Sequence, residues 1–175
     1  MMPAVLHHFS EDPHIAKFVP HVPRTNPEHR RAVWAIDGEH APLYWFPRDC
    51  PRVTIWPLRA DDVPAFQSRL ATTAPRVHAI ESGWLERMRT AALFRYDFEP
   101  DGFYPWEEAD GQWIAECEVV PVAVTPIGDL LAAHVQAGIE LRIVPSLWPL
   151  HDLALERQFD FSIVRMRNAQ ARREI

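Results

Sequence analysis

Lysine is nearly missing from this chain: Lys17 stands alone among 18 basic residues, the rest being arginine. Schiff-base chemistry, which needs a lysine amine at the reacting carbon, has almost nothing to draw on. Cysteine is also scarce. Cys50 and Cys117 lie far apart in no paired spacing, which gives a zinc ribbon or redox dithiol no footing. Two free thiols, buried as small apolar groups, are expected instead. Only six glycines are present, and none forms a phosphate-cradling loop. There is no helical His-Glu zinc motif and no Gly-x-Ser-x-Gly nucleophile elbow. No run reaches the roughly 18 apolar residues of a membrane span. The start, Met1 to His8, lacks the basic opening and long apolar core of a secretory signal, so a cytoplasmic address is the expectation. Positive charge is in deficit: 18 basic residues against 24 acidic give a formal net charge of −6. That balance opposes non-specific attraction to nucleic acid or an anionic membrane.

What is present reads as one domain. At 175 residues the chain fits the usual size of a single unit with its own core. Residues 1–175 are read as one globular domain with a polar tail from about 168, where Arg172 and Arg173 are solvated. Seventeen prolines punctuate the elements. The stretch 20–31, with His21 and His29, reads as a loop long enough to be functional. Strands are expected at 5–10, 32–37, 53–56, 77–80, 140–144 and 159–164, and one long Val-rich strand over 113–125. Helices are expected after Asp61-Asp62, over 83–92, from Thr125-Pro126 to Gly138, and from Ser146. Short mixed elements without a repeated βαβ unit indicate α+β, with a mixed, mostly antiparallel central sheet and short helices.

Six of the nine histidines fall before residue 41, yet none has the spacing of a known metal site, so no metal is expected. The densest chemical constellation is Leu6-His7-His8-Phe9-Ser10 at the end of a first strand. Near it come Val33-Trp34-Ala35-Ile36-Asp37 and the aromatic string from Ala41 to Phe46. Histidine, aromatic faces and a carboxylate together suit a nucleotide or another flat ligand. Tryptophan and tyrosine are core and interface residues first, which accounts for Trp34 and Tyr44 without a ligand.

Three strings, at 6–13, 33–52 and 159–169, resemble a small uncharacterised bacterial family with no activity to transfer. A remote resemblance links the chain to ADP-ribosyltransferase-like proteins. Their first strand often ends in Leu-aromatic-His-x-Thr/Ser, matched here by residues 6–10, and their second strand with its following helix is matched loosely by Val33-Trp34 and Ala41 with Tyr44, without the usual Gly-x-Tyr-Phe-Thr form. That resemblance implies NAD as cofactor, with His8 on a ribose hydroxyl, Ser10 on the sugar or a phosphate, and Tyr44, with Trp34 or Trp45, on the nicotinamide ring. Glu116 or Glu118 would then face the positive charge that develops on the ribose. An exposed face of an antiparallel sheet accounts for the two glutamates without any function. Two readings therefore stand: a nucleotide-binding, NAD-related enzyme, or a non-catalytic module that meets a protein partner.

Overall fold

A computed structural model describes residues 2–23, 28 and 30–173. The strands, in chain order, are β1 (Leu6–Ser10), β2 (Val33–Ile36), β3 (Arg52–Trp56), β4 (Val77–Glu81) and β5 (Phe94–Phe98). They continue as β6 (Tyr104–Pro105), β7 (Gln112–Ala115), β8 (Ala123–Pro126), β9 (Glu140–Val144) and β10 (Asp160–Val164). The helices are α1 (Val63–Leu70), α2 (Leu85–Thr90), α3 (Leu130–Gln136) and α4 (Trp148–Leu155). The fold class is α+β, with mostly antiparallel pairing. The strands divide over two sheets, where the sequence suggested one central sheet. Contacts separate two compact units, Met1–Trp45 with Ala92–Ile127 and Phe46–Ala91 with Gly128–Ile175.

The first unit is built on the sheet β6-β7-β2-β1-β5-β8, antiparallel throughout. Side chains alternate across a strand, so each strand feeds two faces. Leu6 and His8 lie opposite Phe98 and Tyr96 on one face. There Leu6, Val33, Ala35, Tyr96, Phe98, Phe103 and Ala115 form a core. The chain after β1 folds back over this face and inserts Phe18 edge-on against Tyr96 and Phe98, at 5.2 and 5.0 Å between centroids. The Tyr96 hydroxyl holds that crossing by donating to the Asp12 carbonyl and accepting from Ile15 N–H. His7 and Phe9 point to the other face, opposite Asp97 and Arg95.

The second unit carries the sheet β10-β3-β4-β9, in which β4 and β9 run parallel and the other pairs antiparallel. One face packs Val53, Ile55, Val77 and Ala79 against Phe66 and Leu70 of α1, Leu147 and Ala154. Phe66 and Leu70 are four apart, one turn up the same side of the helix. Phe66 meets Phe159 edge-on at 5.3 Å. The opposite face bears Arg52, Thr54 and His78, with Phe46 above them.

Several expected elements shift. The Val-rich run 113–125 is two strands, β7 and β8, which pair with different neighbours. Pro121 cannot donate to a ladder, and the chain bends away after Ala115. Val120 and Val122 are 67% and 58% exposed, so the valines mark a surface edge, not a central strand. Thr125-Pro126 closes β8 instead of opening a helix. Asp129 caps α3 by accepting from Leu131 and Ala132 N–H at 2.8 and 3.1 Å. A carboxylate free to turn back on the first amides outcompetes a threonine already spent on a strand. The helix expected over 83–92 is a 3-10 turn, Ser82–Trp84, followed by α2. Part of the 20–31 loop, residues 24–27 and 29, lies outside the described residues.

Candidate functional site

The alternation of β1 decides what the sequence constellation becomes. His8 points into the core of the first unit, its ring 4.8 Å from Phe18. Its Nδ1 donates to the Trp34 carbonyl at 2.9 Å. Burial holds the imidazole below its ordinary value, and the Trp34 carbonyl offsets only part of that. Ser10 Oγ accepts from Asp12 N–H at 3.1 Å, and Asp12 Oδ1 accepts from His14 N–H at 2.8 Å. Both bonds shape the turn that leaves β1.

Trp34 and Tyr44 belong to the opposite face. Trp34 meets Trp106 edge-on at 5.3 Å. Tyr44, in the 3-10 turn Ala41–Tyr44, stacks on Phe9 with 6.3 Å between centroids and 5° between planes. Its hydroxyl accepts from Gln112 Nε2 at 3.2 Å. Of the four residues assigned to a nucleotide, His8 and Ser10 on β1 thus lie toward one face of the sheet, and Trp34 on β2 and Tyr44 in the turn that follows lie toward the other. Glu116 and Glu118 lie in the exposed bend after β7. Glu116 accepts from the Tyr104 hydroxyl at 2.8 Å and stands 3.5 Å from Arg30, while Glu118 accepts from Lys17 Nζ at 2.9 Å.

The face that Trp34 and Tyr44 share holds a group that no sequence motif marks. His7 and Asp97 lie opposite each other on β1 and β5, and His7 Nδ1 donates to Asp97 Oδ1 at 2.8 Å. Arg95 grips the same carboxylate with two bonds, Nε to Oδ1 at 2.8 Å and an Nη to Oδ2 at 3.0 Å. His7 and Asp97 are 7% and 9% exposed, so these bonds work in a poorly solvated setting. A carboxylate bonded to Nδ1–H fixes the tautomer and leaves the Nε2 lone pair as the proton acceptor. Gly38 lies beside that nitrogen: a methyl group there would sit 3.8 Å from Nε2. Next along the face come Phe9 and Arg95, paired across the strands, with Tyr44 stacked on Phe9. The signal for β5 was present in Phe94-Arg95-Tyr96-Asp97-Phe98, a strict apolar-polar alternation.

Residues 7–169 match a family of unknown function, DUF6886. The chain belongs to that family. No curated protein and no solved structure matches it. The uncharacterised-family resemblance carried by residues 6–13, 33–52 and 159–169 is thereby borne out, and DUF6886 brings no activity with it. What the site can do rests on its own geometry. Among the described residues, no group of three or more His, Cys, Asp or Glu side chains could hold a metal ion. No helix among them is long and apolar enough to cross a membrane.

Proposed function

We propose that the first unit binds a flat, nucleotide-type small molecule and acts on it by acid–base chemistry, with His7 as the proton acceptor. The observation that supports this most is the bond from His7 Nδ1 to Asp97, itself clamped by Arg95. A base held in one tautomer by a carboxylate is the pairing that general-base catalysis requires. Phe9 and Tyr44 supply flat apolar surface within the same face, and aromatic rings of a ligand stack well on such surfaces. Arg95 spends two of its N–H groups on Asp97, and a guanidinium carries five. It therefore has donors left for an anionic group.

In this reading the histidine of the site is His7, acting as proton acceptor, whereas the ADP-ribosyltransferase resemblance puts His8 on the sugar. Trp34 and Tyr44 remain aromatic faces open to a ligand, without being tied to a nicotinamide ring. ADP-ribosyl transfer from NAD remains the specific reaction that the His8–Ser10 string suggests, with Glu116 or Glu118 as its carboxylate. It needs His8 and Ser10 to share one dinucleotide with Tyr44, and the fold gives these residues opposite faces. NAD and ADP-ribose are therefore the first ligands to try, without NAD chemistry being built into the proposal.

The test is calorimetric and thermal-shift titration with NAD, ADP-ribose and ATP of the wild type, His7→Gln and His8→Gln. A ligand that binds the folded chain raises its melting temperature by mass action. Binding lost in His7→Gln and kept in His8→Gln supports the face described here. The reverse pattern supports the NAD reading on the core side, and no binding by any of the three at millimolar ligand overturns the proposal. A second reading, a protein-interaction module, draws on Val120, Val122 and Val124, which recur at alternate positions and are 67%, 58% and 43% exposed. It expects a partner whose binding is lost on Val122→Glu and untouched by His7→Gln.

A further inference from the structure

A second histidine arrangement lies in the other unit and is independent of the proposal above. His78 on β4 and His134 on α3 are both fully buried, with rings 5.1 Å apart and 80° between planes. His134 Nδ1 donates to the Leu130 carbonyl one turn back, at 2.7 Å. That bond makes His134 Nε2 an acceptor, and His78 Nδ1 donates to it at 3.0 Å. The chain of donors ends there: His78 Nε2 is a buried lone pair with no hydrogen-bond partner among the described residues. Both rings lie against Phe46, at 5.5 and 5.1 Å.

This network has no comfortable place for a proton. On His134 Nε2 it would set N–H against N–H across 3.0 Å and break the bond to His78. On His78 Nε2 it would create a buried cation whose new N–H lacks an acceptor. The charged groups that bear on His78 are His134, Arg76 and Arg52, all cationic or able to become so. Arg52 reaches it from β3, over the Phe46 ring at 4.9 Å, and Arg76 from the residue before β4. Thr54 across on β3 and Leu141 across on β9 add no charge. α2 turns Met88 inward and leaves Glu86, Arg87 and Arg89 exposed. Glu81 alternates to the opposite side of β4. Meanwhile α3 is held by little: Leu130 and His134 are its buried residues, and Val135 is 76% exposed.

We propose that α3 is a proton-released helix, docked on β4 while the His78–His134 bond is made and let go when that pair takes up a proton. Burial holds both imidazoles below their ordinary value of 6.5, His78 well below it. The docked form therefore stays neutral, and the open form protonates as an ordinary histidine does. The docking stability is complete above that ordinary value and is lost as pH falls below it, toward the depressed values of the docked pair. Each histidine behaving this way raises the opening constant about tenfold per pH unit in that range.

The experiment is amide hydrogen exchange on the whole chain from pH 7 to pH 5, corrected for intrinsic exchange chemistry. α3 amides are compared with those of β3 and β10. The expected result is at least tenfold loss of α3 protection per pH unit below about 6.5, set by the ordinary histidine value, with β3 and β10 retaining theirs. In His134→Gln, whose side-chain oxygen can still accept from His78, the pH slope should fall by about one power of ten per unit, one titrating site having been removed. Nitrogen-15 histidine spectra of the wild type give a second readout that needs no variant. Protonation of His78 and His134 should coincide with α3 opening. α3 protection independent of pH, or histidines that titrate while α3 stays protected, would overturn the proposal.

Discussion

Asp97→Asn tests the His7 site at its hinge. The substitution preserves shape and removes charge from a carboxylate that accepts three bonds, from His7 Nδ1 and from two nitrogens of Arg95. Hydrogen bonds to a charged group contribute about 1.5–3 kcal/mol net when buried. The Arg95 side chain is 38% exposed, so its share is screened and counts at the lower end. The amide retains one accepting oxygen and turns an N–H₂ toward a donor on the other side. The balance is a loss of about 2–4 kcal/mol, well above the roughly 0.5 kcal/mol typical of a surface substitution. For a chain of this size each kcal/mol moves the melting temperature by about 2–4 °C, so a fall of roughly 4–16 °C is expected. Thermal denaturation at neutral pH measures that fall, and urea denaturation measures the free energy behind it. A cycle with His7→Gln should return a coupling energy above about 1 kcal/mol, because the two residues share one bond. Additive effects, or an Asp97→Asn variant within 0.5 kcal/mol of wild type, would refute the view that this pair is a working network.

Other substitutions probe the rest of the molecule. Gly111 has φ +77°, and a Cβ there would collide with the His40 ring, so Gly111→Ala should cost about 2–4 kcal/mol by displacing His40 from Asp37. Chemical denaturation reads the loss, and tolerance of alanine would mean that the turn is not held as described. Phe66→Ala, at a residue with no exposed surface against Phe159, should cost about 3–5 kcal/mol. Thiol titration at pH 8 should count one reactive cysteine in the native protein and two in urea. Cys117 is exposed, whereas burial pushes the Cys50 thiol up to about 12. Two fast thiols in the native state would contradict the burial of Cys50.

Much of the fold was legible because local pattern and tertiary role agree. β1, β2, β3, β9 and β10 fall where alternation or a short apolar run placed them, and α1 starts after Asp61-Asp62 with Pro64 in its first turn, as its start signals indicate. The failures came where one local signal had two meanings. Valine is favoured in strands whether central or at an edge, and periodicity cannot tell the two apart. Thr-Pro opens a helix or ends a strand depending on what the next carboxylate does, and Asp129 decided that here. The site was half legible. His7 and His8 are adjacent and chemically identical, and the motif match drew attention to His8. Their difference is one of parity: one residue along a strand reverses the face, and pairing with Asp97 selects His7. Asp97 lies 90 residues away, beyond the reach of any spacing argument.

The exposed edge at β8 has a consequence for how this protein behaves in concentrated solution. Val122 N–H is spent inward on the Asp97 carbonyl and Ile127 N–H on the Leu93 carbonyl. Alternation turns Ala123 and Thr125 inward as well, toward their partners on β5. Pro121 and Pro126 have no N–H to give. Between the two prolines the outward donor is the Val124 amide, and a row of donors is what an incoming strand needs to zip on. The β8 edge can therefore expose Val120, Val122 and Val124 without offering a row of backbone donors. What another molecule meets there is a strip of side chains, not an open backbone.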